Sequence, residues 1–187
     1  MGAARAPPLG RTLVRTLCAE HLLLVLCTHG AKHCWERLGW ICDVAELLRR
    51  TPGLDVCGLL DQARALGVER IVLLGLRLAA ELLDAPLTDR VARRVRDDRT
   101  VRALAAHVRT TLFSRVPATS PDPWELRLFH LRARERWRDR LRYGARVALT
   151  PTAGDWAWLQ LPDALYPLYY VTRSIRLVAK YGARLMR

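Results

Sequence analysis

An all-α fold, a single compact bundle of about six to eight helices, is what this sequence predicts, and three observations carry the prediction. Apolar residues make up 51% of the 187 residues and aromatics 7%, enough to build a real core in one domain. Leucine, alanine and arginine dominate while isoleucine, phenylalanine and tyrosine are sparse, a composition that favours helix over strand. Apolar residues recur at helical spacing in segments punctuated by Pro52-Gly53, Gly67 and Asp84-Ala85-Pro86.

Residues 1–16, with Pro7, Pro8 and Gly10, read as a flexible lead-in in which Thr12–Thr16 can be extended; residues 17–187 read as the helical domain. Thr16 offers a cap for a first helix with Glu20 in its first turn, and Leu22–Leu26, apolar on every side, is expected to be deeply buried. Gly30 weakens that helix. Cys27–Arg50 is then either one central helix or two helices meeting near Gly30–Cys34, with Trp35, Leu38, Ile41, Cys42, Ala45 and Leu48 on its apolar face. Asp55 caps a short helix that Gly67 closes, Val68–Leu83 forms an interior helix, and Thr88 caps a basic helix ending at Arg96. A further helix spans Thr100–Phe113, and three prolines mark a loop or hinge at 117–123. Pro123 starts a helix that continues to Arg146, and a last helix runs from about Asp163 to Leu185. Trp156 and Trp158 are expected to plug the core.

The formal net charge is +13, nearly all of it arginine, with Lys32 and Lys180 the only lysines. Such a balance suits anionic partners, nucleic acid or nucleotides among them; equally, the arginines can be solvated helix faces. The five cysteines form no CxxC pair and no disulfide framework, which points to free thiols in a reducing, cytoplasmic setting. Arg5, Arg11 and Arg15 mimic the start of a secretory leader, but Glu20 and His21 interrupt the apolar run and no cleavage site follows. The strongly apolar run Leu22–Cys27 is far too short to span a bilayer. No GxGxxG, Walker A or GxSxG signature and no internal repeat is present.

Two places offer chemistry. If Cys27–Arg50 is one helix, His29, His33, Glu36, Trp40 and Asp43 follow spacings of four, three, four and three and share a stripe, with Arg37 beside it. That stripe can bind a phosphate, act as general acid and base, or, through His29, His33 and Asp43, hold a metal for a small hydrolase. It can also be a helix junction whose polar groups simply pair. Asp43, between Cys42 and Val44, is expected to be buried and paired with an arginine. The second place is Arg127–Arg146, with eight arginines interleaved with Trp137 and Tyr143. There Arg134, Arg138 and Arg142 can hold a nucleic-acid backbone, or form a solvated face.

The run HGAKHCWERLGWICDVAELLRR, in which His29, Gly30, His33, Trp35, Leu38 and Asp43 are the most specific positions, resembles the C-terminal half of a bacterial family of nucleotidyltransferases of the minimal nucleotidyltransferase fold. The resemblance extends from about Gly10 through the tail TPTAGDWAWLQLPDALYPLYYVTRSIRLVAKYG. It implies a helical domain that helps frame a nucleotide or acceptor cleft, with Mg²⁺ and a nucleoside triphosphate as ligands of a complete member. It also implies a catalytic nucleotidyltransferase domain or a nucleotide as partner. Such enzymes use a Gly-Ser turn and an Asp-x-Asp pair that binds metal. Neither motif occurs in this chain, and Asp97-Asp98 does not substitute. No catalytic residue is therefore assigned. The expected function is a helical domain not catalytic alone, with His29, His33, Glu36, Arg37 and Asp43 as cleft candidates and a stand-alone nucleic-acid-binding module as the alternative.

Overall fold

The computed structural model describes residues 8–9, 12–13, 16–114 and 123–152 and, beyond them, 156–157, 162, 165–166, 168–173 and 175–176. The fold is all-α. Its helices are α1 (Ala19–Lys32), α2 (Leu38–Arg50), α3 (Val56–Leu66), α4 (Glu69–Leu83), α5 (Asp89–Asp97), α6 (Arg99–Leu112), α7 (Pro123–Ala133) and α8 (Trp137–Leu149). Ahead of them Pro8–Leu9 and Thr12–Leu13 pair antiparallel, Pro8 opposite Leu13 and Leu9 opposite Thr12. The chain divides into two compact units, residues 1–136 and 137–187. The expected hinge at 117–123 lies largely outside the described residues, as do Trp158 and most of the expected last helix.

In the first unit α4 is the hub, touching α1, α2, α3, α5 and α6. Its sequence ERIVLLGLRLAAELL explains why: Val72, Leu73, Leu74, Leu76, Leu78 and Ala79 are all buried and spread around most of the helix, the signature of an interior helix. Around it, α2 offers Ile41, Val44, Ala45 and Leu48, and α6 offers Val101, Leu104, Ala105 and Val108. Both sets follow the i, i+3, i+4, i+7 pattern of an amphipathic stripe. Helix α7 packs on α6 and α1, with Phe129 and Ala133 buried.

Several local expectations meet a different outcome. Helix α1 is buried through Leu23 and Cys27, while Leu22 and Val25 are exposed; its all-apolar run does not bury every side because only one face meets α4. Its N-cap is Cys18 rather than Thr16, with no side-chain cap bond. Thr88 precedes α5 but its hydroxyl makes no cap bond. Trp156 is exposed rather than a core plug. The long arginine helix expected from Pro123 to Arg146 ends at Ala133, and Trp137 starts a new helix in the second unit. The break is held by long-range polar contacts: the Arg70 guanidinium donates to the carbonyls of Arg132 and Arg134, each at 3.1 Å, and Glu135 accepts from the Arg70 backbone N–H.

The start of α3 matches its sequence. Asp55 Oδ1 accepts from the Gly58 N–H at 2.9 Å, and Gly67 closes the helix at φ 75°. Asp55→Ala should cost the first unit about 1 kcal/mol. A shift in the urea midpoint with an unchanged slope would verify it; no shift would mean that water satisfies the orphan N–H groups equally well.

Candidate functional site at the junction of α1 and α2

The candidate site is built by a turn, not by a continuous helix. Helix α1 runs through Gly30 to Lys32, and His33–Arg37 then reverse the chain into α2. Cys34 and Trp35 both adopt left-handed backbone, at φ 52° and 56°, a conformation that costs a non-glycine residue of order 1–3 kcal/mol. Two backbone bonds tie the reversal: Cys34 N–H to Ala31 O at 3.1 Å and Trp35 N–H to Gly30 O at 2.8 Å. The strain is offset by the Trp35 side chain, which is completely buried. Its ring lies against Gly30 of α1 and Gly75 of α4, where a Cβ at either position would approach it to 2.5 Å and 3.1 Å respectively. Gly30 is thus a seat for Trp35, not a break between the two histidines.

The reversal brings α2 back beside α1. His29, in the last turn of α1, His33, its C-cap, and Trp40, in the first turn of α2, form a triangle of rings. Their centroids are 4.9 Å (His29–His33), 5.3 Å (His29–Trp40, edge-on) and 5.2 Å (His33–Trp40) apart. The Arg37 guanidinium sits 5.9 Å from the Trp40 ring centroid, within cation–π reach. His29, Lys32, Glu36 and Arg37 are exposed, and His33 and Trp40 are half-buried. The surface is therefore aromatic, with Lys32, Glu36 and Arg37 as exposed charges around it.

Asp43 does not join it. It lies opposite the Ile41–Val44–Ala45–Leu48 stripe and is exposed. The expectation of a buried, arginine-paired carboxylate gave too much weight to its apolar neighbours; the helical period sends Val44 inward and Cys42 and Asp43 outward. Among the described residues no group of three or more His, Cys, Asp or Glu side chains is placed to hold a metal ion.

One neighbour was not visible in the sequence. His130 of α7 brings Nε2 to 3.9 Å from Cys34 Sγ, across 96 positions. Burial pushes the Cys34 thiol up to about 11, with the Glu36 charge adding to the rise. Burial likewise holds the His130 imidazole below its usual range, helped by the Arg134 and His33 charges. Cys27, wholly buried, is pushed up to about 12. These thiols are protonated at neutral pH and are not activated nucleophiles.

The arginine candidates separate. Arg134, half-buried after α7, donates from Nη1 to His130 O at 2.6 Å. Arg138 and Arg142 are exposed on α8, in the other unit. The single helix expected to carry all three is two helices, and Arg134 follows the first while Arg138 and Arg142 belong to the second.

Also absent from the sequence reading is a cavity of about 400 Å³ in the first unit, lined by Arg64, Glu69, Arg70, Arg94, Asp98 and Glu135 among others. Glu69 accepts from Arg64 Nε at 2.7 Å and from Arg94 Nη2 at 2.5 Å, and Arg70 Nε reaches Asp98 Oδ2 at 3.2 Å. Ion pairs among these walls tie α3, α4 and α5 together, and the hydrogen bonds of Arg70 to Glu135 and to the carbonyls of Arg132 and Arg134 add the end of α7.

Residues 2–84 match a family model described as an uncharacterised nucleotidyltransferase. The matched segment takes in α1 to α4, including the whole α1–α2 junction, and stops at the C-cap of α4. Helices α5 to α8 and the tail lie beyond it, although the resemblance read from the sequence extends through the tail. No curated protein and no solved structure matches the chain.

Proposed function

We propose, from the match of residues 2–84 to the uncharacterised nucleotidyltransferase family model, that this helical protein frames a nucleotide or acceptor cleft and does not transfer a nucleotidyl group alone. The observation that supports the reading is the ring triangle of His29, exposed, with His33 and Trp40, half-buried, and the exposed Arg37 beside it. A base has a π-face that stacks on imidazole or indole, and a guanidinium offers a phosphate paired N–H donors. Lys32 adds a second exposed cation on the same junction.

The junction suits the organic and phosphate parts of a nucleotide better than it suits catalytic Mg²⁺. Magnesium takes oxygen ligands, whereas the groups brought together here are imidazoles, an indole and a guanidinium. Glu36, in the turn, and Asp43, on α2, are exposed, and among the described residues no group of three or more His, Cys, Asp or Glu side chains is placed to hold a metal ion. With neither Gly-Ser nor Asp-x-Asp in the chain, metal-dependent transfer is assigned to a catalytic nucleotidyltransferase domain acting with this one, and no step is routed through the metal here.

Calorimetric titration of the purified chain with nucleoside triphosphates tests the cleft. Arg37→Ala should weaken binding about tenfold, the worth of a charge-assisted bond to phosphate. His33→Ala should weaken it by a similar factor through lost stacking, while Asp43→Ala should leave it unchanged. Equal affinity in the wild type and the Arg37 and His33 variants would remove the junction as the cleft wall. Pyrophosphate release by the chain alone with Mg²⁺, abolished by Asp43→Ala, would overturn the non-catalytic part.

A further inference from the structure

The second unit carries a feature that the nucleotidyltransferase reading leaves unused. In helix α8 Tyr143 and Val147 are half-buried, and the buried Arg173 of the same unit donates from Nε to Val147 O at 3.0 Å and from Nη1 to Thr152 Oγ1 at 3.1 Å. The outer side of α8 is apolar. Trp137 is 65% exposed, Leu141 61% and Leu149 49%. With Ala145 they recur at every fourth residue, so they form one continuous stripe that winds slowly around the helix. Arg138, Arg142 and Arg146, each one residue later, form a second exposed stripe beside the first. The Arg138 guanidinium lies 5.6 Å from the Trp137 ring centroid, joining the two at one end. The same unit exposes further apolar side chains at Tyr170, Val171 and Ile175.

We propose that the outer face of α8 docks on an anionic lipid surface, with the helix lying in the plane of the membrane. No helix among the described residues is long and apolar enough to cross a bilayer, so the mode is interfacial. The two parallel stripes carry the choice of occupant. A lipid boundary presents acyl chains and anionic phosphates side by side over any length, and α8 presents an apolar and a cationic row side by side over about 18 Å. Tryptophan is at home at the headgroup level, and arginine stems lie along apolar surface while their heads reach the phosphates. A nucleic acid would satisfy the arginines and Trp137 but would leave Leu141, Ala145 and Leu149 against phosphate. A protein groove would cover the apolar row but would pay for desolvating three arginines along its length.

The test is co-sedimentation of the full chain with vesicles of phosphatidylcholine mixed with phosphatidylglycerol, and with vesicles of phosphatidylcholine alone. Binding to the mixed vesicles is expected, falling as salt rises. The triple variant R138Q/R142Q/R146Q should bind about a hundredfold more weakly, from three cations near an anionic surface. The corresponding lysine variant should stay within a few-fold of wild type. W137S/L141S/L149S should lose as much as the glutamine variant. All three change only exposed positions, and circular dichroism melts verify that each is folded. Absent or equal binding to the two vesicle types, or full binding by the serine variant, would overturn the proposal. So would arginine-dependent binding to DNA or RNA, unaffected by the serine substitutions, in a chain that ignores vesicles.

Discussion

Replacing Trp35 with alanine will destabilise the first unit by about 3–5 kcal/mol, the range for emptying a tryptophan-sized space in a packed core. The ring is fully buried and touches the two glycines that shape its seat, Gly30 on α1 and Gly75 on α4. Its loss also removes what offsets two successive left-handed residues, Cys34 and Trp35. The sharper experiment is a cycle with Gly30→Ala. In the wild-type background the new methyl would sit 2.5 Å from Trp35 Cζ3, and an overpacked core loses about 1–3 kcal/mol. In the Trp35→Ala background the obstruction is gone and alanine becomes the better helix former by about 1 kcal/mol. The sign of the Gly30→Ala effect should therefore reverse, read as urea midpoints. Equal costs in both backgrounds would mean that something other than the indole fills the space over Gly30. Should Trp35→Ala fail to fold, Trp35→Phe serves. It keeps a ring in the seat and removes an indole N–H that is buried with no partner among the described residues, so its cost should be well below that of alanine.

The same residue separates what was legible from what was not. Helices whose faces obey a 3.6-residue period were readable: α4 because it is apolar nearly all round, α3 because Asp55 and Gly67 bracket it. The all-α class followed from them. Two helices meeting near Gly30–Cys34 was one of the two readings the sequence allowed, and the structure adopts it; the left-handed backbone of Cys34 and Trp35 carries no local signal, since neither residue is a glycine or proline, and goes with a tertiary event, the seating of the indole against Gly30 and Gly75. A wheel drawn through Cys27–Arg50 therefore placed Asp43 with the histidines, whereas the folded-back chain brings Trp40 to both imidazoles and sends Asp43 to solvent. The Cys34–His130 contact and the Arg70 bonds that end α7 span 96 and over 60 positions, beyond any local pattern. Arginine-rich periodicity ran unbroken through Ala133–Trp137, so the split between the units was equally invisible.

Glu69→Ala should cost about 3 kcal/mol, the lower end for breaking a buried ion pair while leaving its partner behind. Glu69 is only 9% exposed at the first turn of the hub helix, where the helix dipole also favours its charge. Arg94 of α5 supplies the better-shielded contact at 2.5 Å, while Arg64 of α3, largely in solvent, adds bonds at 2.7 and 3.1 Å. The pH profile distinguishes this carboxylate from Glu135, its neighbour in the same network. For Glu69, burial acts to raise the pKa, but the bonds from Arg64 and Arg94 outweigh it and the net shift is below the ordinary 4.5. Its stabilisation is complete above pH 4.5 and is lost as pH falls through the lower folded value. Glu135 shifts the other way: burial raises its pKa, more than the Arg70 N–H lowers it, with the Glu69 and Asp98 charges adding to the rise. Its contribution is complete below pH 4.5 and is lost as pH climbs through the raised value. Urea midpoints measured across pH should show Glu69→Gln less stable than wild type at neutrality and less sensitive to acid. Glu135→Gln, which keeps an acceptor for the Arg70 N–H, should hold or gain stability at neutrality and flatten the decline above pH 4.5. If Glu69→Gln kept the wild-type acid limb unchanged, the ion pairs at the start of α4 would not be what ties α3 and α5 to the hub.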